Sequence, residues 1–270
     1  MGIITLLTDF GTQDEYVGVL KGVILSINPS ATIVDISHHI APQGIDQAGE
    51  VLDAAFSWFP KGTTHMAVVD PGVGSGRHIV ALQSHGHTFI APDNGLLTSI
   101  LDAGQVTAAV RVANERLYRQ PVSATFHGRD IFAPVAAHLS LGMPIDQMGP
   151  AVAIDHICRR SHRHCELTAN GDIVGQVVYV DRFGNIGTNI DEQSVTSLSG
   201  PSQNHAVEIE ICGHTIFGLS ESYVQGGAEE LTALLNSRNR LEIAVNGGNA
   251  AQMVVARPGT VVRVTKTKNR

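Results

Sequence analysis

Residues 65–74 read His65-Met66-Ala67-Val68-Val69-Asp70-Pro71-Gly72-Val73-Gly74, an apolar run that breaks into an acidic turn rich in proline and glycine. The start of the chain repeats the pattern, with Ile3 to Leu7 running into Thr8-Asp9-Phe10-Gly11. Short apolar runs bounded by turn residues fit strands covered on both faces, as in a parallel sheet. Between these two runs, Tyr16, Leu20, Val23, Ile24 and Ile27 recur at helical spacing, and Asn28-Pro29 stops that helix. Thr32 to Ile36 is strand-like, and Ile45 to Trp58 predicts a helix that ends before Pro60. Further on, Ile79 to Gln83 and Thr88 to Ala91 predict an antiparallel pair joined at His85-Gly86. Asp93 to Asp102 suits a capped short helix, and Ile131 to Leu141 a longer one. This alternation predicts a layered α/β domain with a mostly parallel sheet.

The texture changes near Pro150. Residues 155–166 are polar and basic without a period and read as a linker. Beyond them Ile173 to Val180, Ala206 to Ile211, Thr215 to Leu219, Leu241 to Val245 and Thr260 to Val264 are strand-like, predicting a small antiparallel barrel or sandwich. Glu230 to Ser237 is helical by composition, yet Arg238-Asn239 before Arg240-Leu241-Glu242-Ile243 also suits a hairpin. The expected organisation is an α/β domain over 1–153, a linker over 154–168, and a β-barrel-like domain over 169–270.

A formal net charge of -7 and the lack of a Lys/Arg run argue against nucleic-acid binding. No apolar run reaches the ~20 residues of a membrane span, and the N-terminus lacks the features of a secretory leader. Three cysteines, an odd number, fit reduced thiols in a cytoplasm.

Ligands of parallel α/β sheets bind beyond the C-terminal strand ends. Asp9 and Asp70 stand at two such ends, each with a nearby glycine that lets backbone approach a ligand. A carboxylate there suits a ribose diol; each Asp equally suits a helix cap. The loop Gly72-Val73-Gly74-Ser75-Gly76 matches neither standard phosphate fingerprint. It reads as a tight turn able to bring Arg77, always cationic, back over Asp70. His127, in Thr125-Phe126-His127-Gly128-Arg129-Asp130, is the residue type suited to proton transfer near neutrality, though a lone loop histidine is more often merely hydrogen-bonded. Asp93-Asn94-Gly95 reads as a helix cap. Cys158-Arg159-Arg160-Ser161-His162-Arg163-His164-Cys165 has zinc-type ligands at a poor spacing, so a solvated basic linker is the better reading. Asp9, His38, Asp70, Asn94 and His127 also form the inventory of a two-metal hydrolase, without its tight clusters.

Taken in order, these motifs resemble the SAM hydroxide adenosyltransferases, relatives of the fluorinase and chlorinase enzymes that act on S-adenosylmethionine (SAM). The resemblance rests on Thr8-Asp9-Phe10-Gly11 with Asp14, Val34-Asp35-Ile36-Ser37-His38, Val69-Asp70-Pro71-Gly72-Val73-Gly74 with Arg77, and Ala91-Pro92-Asp93-Asn94-Gly95-Leu96-Leu97. It continues through Thr125-Phe126-His127-Gly128-Arg129-Asp130, Asp181-Arg182-Phe183-Gly184-Asn185 with Thr188-Asn189, and Asn236-Ser237-Arg238, and so spans nearly the whole chain.

The resemblance implies an α/β N-terminal domain, a small C-terminal β domain, and a homotrimer holding SAM between the N-domain of one subunit and the C-domain of its neighbour. It also favours the hairpin for residues 230–237. It assigns Asp9 to the ribose hydroxyls, Phe183 and Tyr223 to packing around the adenosine, and Asn185 with backbone near Val245, Asn246 and Gly247 to the adenine. Asp14 and Asp181 would pair with the methionine ammonium, and Ser237 and Arg238 would meet its carboxylate with Glu242 close by. Halogenases resemble this chain but carry an aromatic at the position of Asp70 and a halide-binding Ser at that of Gly128. Asp70, Arg77 and His127 together match the water-using branch. The implied reaction is hydrolysis at ribose C5′, giving adenosine and L-methionine, with SAM as substrate and no cofactor or metal. A SAM-dependent halogenase and a metal-dependent hydrolase are the alternatives.

Overall fold

In the computed structural model of the chain, which describes residues 2–161, 165–199 and 207–267, the predicted alternation becomes a sheet with helices on both faces. Six strands form it: β1 (Ile3–Thr8), β2 (Thr32–Ser37), β3 (Thr64–Val68), β4 (Ile79–Ser84), β5 (His87–Pro92) and β6 (Val106–Arg111). Their order is β2-β1-β3-β5-β4-β6. The pairs β1–β2, β1–β3 and β3–β5 are parallel, and β4 runs antiparallel to β5 and β6. Strands alternate their side chains, so each feeds two cores. Ile4 and Leu6 of β1 join Leu20 and Ile24 of α1 (Tyr16–Ile27) and the buried face of α4 (Ala133–Ser140). Leu7 joins Leu52 of α2 (Ile45–Phe56) and Ile100 of α3 (Thr98–Asp102) on the other side.

The second unit is antiparallel. Its strands are β7 (Glu166–Leu167), β8 (Ile173–Val180), β9 (Ile186–Asp191), β10 (Val207–Ile211), β11 (His214–Phe217), β12 (Leu231–Leu235), β13 (Arg240–Val245) and β14 (Val261–Lys266). The order is β11-β10-β14-β8-β9-β13-β12, with β7 against β8. The two ends of that path approach each other: Ser220, just past β11, donates its N–H to Ala233 of β12 at 2.8 Å. This gives a nearly closed barrel around one core that includes Val177, Ile209, Leu241, Ile243 and Val264. Helices α5 (Glu192–Ser199) and α6 (Ala250–Val254) complete it.

The units divide between Ser161 and His162. Much of the expected linker is folded. Ile154–His156 is a 3₁₀ turn, and β7 lies in the second sheet. Cys158 N–H donates to Asp93, Arg159 to Asp102, and the Arg160 guanidinium to Asp46, so residues 158–160 are strapped to the first unit. Basic residues without a period can still be ordered when carboxylates wait on the surface they cross. His162, Arg163 and His164 lie outside the described residues.

Several elements differ from expectation. β6 and β9 were not anticipated, because Thr107-Ala108-Ala109 and Gly187-Thr188-Asn189 interrupt a strand pattern that cross-strand pairing restores; α5 and α6, of eight and five residues, are too short to show a helical period. The Asp93–Asp102 helix covers only Thr98–Asp102. Asp93 binds Cys158 rather than capping, while Asn94 donates to Val69 O at 2.9 Å and accepts from Leu96 N–H. Residues 230–237 contribute strand β12, hairpinned to β13.

Candidate active site

The parallel register places Thr8 beside Val68, so the turns after β1 and β3 open on the same sheet edge. Asp9 and Asp70, far apart in sequence, are thereby brought to one edge. The Asp9 carboxylate accepts Gln43 N–H through Oδ2 at 2.8 Å. Asp14 is exposed in the turn before α1.

Asp70 and Arg77 form a fork-on-fork pair. Arg77 Nε donates to Oδ1 at 2.8 Å, and Nη2 donates to Oδ2. Their side chains are 6% and 11% exposed, so water screens the pair weakly. Arg77 Nη2 also lies 3.1 Å from His127 Nδ1, and the guanidinium covers the Phe132 ring at 5.6 Å. A guanidinium can only donate. His127 Nδ1 is therefore the acceptor, and the neutral ring carries its proton on Nε2. Burial, then the Arg77 charge, push the His127 pKa below its usual value, while Asp70 and Asp130 pull it back.

Two local devices bring these groups together. Gly74 has φ +76°, and a Cβ there would stand 2.3 Å from Ala124 O, so the glycine loop lies directly on the strand of chain leading to His127. Gly74→Ala is expected to lower kcat on the order of 10- to 100-fold, since a shift of about 1 Å within a reacting site is costly. Steady-state rates on protein of confirmed thermal stability check this. After His127 the chain makes a π-helical turn, Gly128–Phe132, with Asp130 fully buried inside it. Asp130 accepts two bonds from Arg129, at 2.7 and 2.8 Å, and one from Ser123 N–H at 2.9 Å. The burial of Asp130 gives no signal in the sequence. An Asp-Arg pair looks like surface charge there, and only the turn geometry buries it.

Gly128 faces inward. A Cβ at that position would meet Leu20 Cδ2 at 3.3 Å, Phe126 Cε2 at 3.4 Å and Phe10 Cε2 at 3.5 Å. A Cβ there would be in van der Waals contact with all three side chains.

The metal-type inventory disperses. His38 Nδ1 is bonded to Thr8, Asp70 to Arg77, and Asn94 to Val69. Among the described residues no group of three or more His, Cys, Asp or Glu could hold a metal ion.

The second unit gathers another cluster. Asp181 Oδ1 accepts the N–H groups of Phe183 and Asn185, and its Oδ2 accepts the Asn185 amide at 2.9 Å, shaping a turn that leaves Phe183 76% exposed. Buried Glu242 accepts from Tyr223 OH at 2.7 Å and from Asn236 Nδ2 at 2.9 Å, with Tyr179 OH at 3.4 Å. The bond to Glu242, then burial, push the Tyr223 pKa up. Arg238 lies over the Tyr179 ring at 5.0 Å. The Asn236 side chain also accepts Arg238 N–H at 2.9 Å, which shapes the hairpin turn carrying Ser237. Val245 ends β13, and Asn246 bridges Ala228 beyond it, with Gly247 at φ +74°. Tyr179 gave no sequence signal; it reads as one more apolar strand residue.

Residues 4–149 match the model of the SAM hydroxide adenosyltransferase N-terminal domain, and residues 175–263 that of the C-terminal domain. The chain belongs to the SAM hydroxide adenosyltransferase family. It is 36% identical over 267 residues to the (R)-S-adenosyl-L-methionine hydrolase of Salinispora tropica, covering 97% of each chain. It is 30% identical over 289 residues to a fluorinase of Nocardia brasiliensis, covering 97% of this chain and 96% of the other. Its fold superposes on a crystal structure of an uncharacterized conserved protein from Thermotoga maritima with a TM-score of 0.90 at 35% identity, covering 97% and 99%. The sequence order of motifs and the family's two-domain build therefore agree. Of the residues quoted from sequence, Asp70, Arg77 and His127 form one connected group. Asp181 with Phe183 and Asn185, and Tyr223 with Glu242, form others.

Proposed function

We propose that this member of the family hydrolyses SAM at ribose C5′, releasing adenosine and L-methionine. The observation that carries the reading is the connected group of Asp70, Arg77 and His127. Water is a poor nucleophile, with a pKa of ~15.7, and the trio supplies what it lacks. Water oxygen attacks C5′ in line with the C5′–S bond. That bond breaks with its electron pair moving to sulfur, and methionine leaves as a neutral thioether. No general acid is needed. As hydroxide develops, Arg77 Nη2 turns its N–H from His127 Nδ1 to the oxygen, and the freed Nδ1 takes the proton. Asp70 fixes the guanidinium plane. Donors aimed at developing charge in a weakly screened place give the largest catalytic return.

Gly128 favours the hydrolase over the halogenase. The position where the halogenases of the family resemblance carry a halide-binding serine is a glycine here, so it offers no hydroxyl to a halide. The leaving group requires no Lewis acid, so we propose that neither metal nor cofactor takes part. We assign Asp9 to the ribose diol, Asp14 and Asp181 to the ammonium, Ser237 and Arg238 to the carboxylate, and Phe183, Tyr223, Asn185 and residues 245–247 to the adenosine. These residues are divided between two separately packed units, and following the family resemblance we propose a homotrimer that joins one subunit's first domain to its neighbour's second. The three free cysteines, Cys158, Cys165 and Cys212, fit a reducing cytoplasm. No helix is long and apolar enough to cross a membrane among the described residues.

The direct test incubates exhaustively chelated protein with SAM and follows adenosine and methionine. Chloride and fluoride arms look for a halogenated nucleoside. Adenosine without halide dependence is expected; activity that vanishes on chelation and returns with a divalent ion points to the metal-dependent alternative. The pH profile gives a second check. The neutral His127 ring must accept the proton, and its pKa lies below the ordinary value. Thus kcat/KM should fall as pH drops through that lowered pKa, and be flat above it to beyond pH ~7. In His127→Gln the acidic limb should disappear along with most of the rate.

A further inference from the structure

We propose that His38 is a positioning residue for recognition of the ribose, holding the Asp9 turn in place through Thr8. This rests on the assignment of Asp9 to the ribose diol.

A row of polar side chains runs under that turn. Lys21 Nζ, from α1, donates to Asp35 Oδ2 at 2.6 Å. Asp35 Oδ1 lies 3.2 Å from His38 Nε2, in ion-pair reach although off the line of a hydrogen bond. His38 Nδ1 lies 2.8 Å from Thr8 Oγ1. Thr8 Oγ1 in turn accepts Phe10 N–H at 3.2 Å. The Asp35 carboxylate favours the ring proton on Nε2, which leaves Nδ1 to accept the Thr8 hydroxyl proton. Each group then has one direction. The row starts at a cation on the helix and ends on the N–H of the residue after Asp9.

His38 grips the same turn a second time, because Gly11 N–H donates to its carbonyl at 2.7 Å. The segment just after it returns to Asp9 itself, where Gln43 N–H takes Oδ2 and leaves Oδ1 for a ribose hydroxyl. Asp9 is thus held on both sides by the connection that follows β2. The β1–β2 register shifts between Leu6 and Leu7, just where Asp35 and His38 must come over Thr8. Such irregularities re-aim side chains near functional edges.

Burial marks the arrangement as purposeful. His38 is 3% exposed and Thr8 fully buried. Buried polar groups are costly unless paired, and an apolar pair would brace the strands as well. A hydroxyl and an imidazole fix orientation, which a diol acceptor needs and a packing contact does not.

The test compares adenosine with 2′-deoxyadenosine, which lacks one of the hydroxyls Asp9 would read. Dissociation constants are measured by calorimetry on the full-length protein and on Asp9→Ala, Thr8→Val, His38→Leu and His38→Asn, with melting temperatures alongside. Wild type should prefer adenosine, and Asp9→Ala should level the two ligands. Thr8→Val and His38→Leu should each cut the preference by about fivefold or more. His38→Asn, which keeps an acceptor for the Thr8 hydroxyl, should recover most of it. A purely structural role would lower the melting temperature and the active fraction and leave the ratio of the two constants at its wild-type value. Folded Thr8→Val and His38→Leu proteins with the wild-type ratio would overturn the proposal. If His38→Leu does not fold, Thr8→Val decides, since it exchanges a hydroxyl for a methyl. An undiminished preference in Asp9→Ala would instead sink the ribose assignment, and with it any role for His38 there.

Discussion

Arg77→Ala is expected to lower kcat for SAM hydrolysis on the order of 10²- to 10³-fold, the usual cost of losing one donor aimed at developing negative charge. Adenosine affinity should be essentially unchanged, because Arg77 faces Asp70, His127 and Phe132 rather than Asp9. Arg77→Lys should recover little. A single ammonium cannot occupy both oxygens of Asp70 and also reach His127 Nδ1. Stopped assays at saturating SAM, with adenosine binding measured in parallel, separate the two effects. A variant that keeps more than a third or so of the wild-type kcat would remove Arg77 from the chemistry. The loss should also be non-additive with His127→Ala, since both act on one proton and one oxygen.

The second large effect concerns stability. Asp130→Ala removes a fully buried carboxylate that accepts two Arg129 bonds and the Ser123 N–H. Burial works to raise the Asp130 pKa, but Arg129 and Ser123 outweigh it and hold the carboxyl below its usual range. The lost bonds and the unpaired Ser123 N–H should cost about 2–4 kcal/mol. Arg129 is 32% exposed and recovers some hydration, so the value should stay below that of a fully buried pair. Urea melts check it. The Asp130 contribution is present above the unfolded carboxyl pKa and is lost as pH falls through the lowered native one. The wild-type and Asp130→Ala stabilities should therefore converge in acid. Since Asp130 anchors the π-turn next to His127, folded Asp130→Asn should also turn over more slowly.

What could be seen in the sequence follows from local rules. The apolar runs ending at Asp9 and Asp70 gave β1 and β3 because a strand buried on both faces has no polar alternation to hide it. The 3.6-residue spacing in Tyr16–Ile27 gave α1 for the same kind of reason. Strand β9 was invisible because Gly187 and Asn189 are poor strand formers, tolerated where β8 and β13 flank them on both sides. Residues 158–160 look like linker in the sequence because their partners, Asp46, Asp93 and Asp102, are scattered through the first unit.

The candidate site divides in the same way. By itself the sequence determined the order of motifs, the family they resemble and the two kinds of domain, since these depend on residue type and spacing along the chain. The glycine loop already pointed to Arg77 over Asp70, but only the tertiary structure decided that Arg77 also reaches His127, that Asp130 is buried inside a π-turn, and that Glu242 ties Tyr223 to Asn236. Hydrogen bonds are made at about 3 Å, and the one from Arg77 to His127 joins groups fifty residues apart. Which donor reaches which acceptor is fixed by sheet order and by the close approach of turns such as Gly74 on Ala124, and neither is written in any local stretch of the chain.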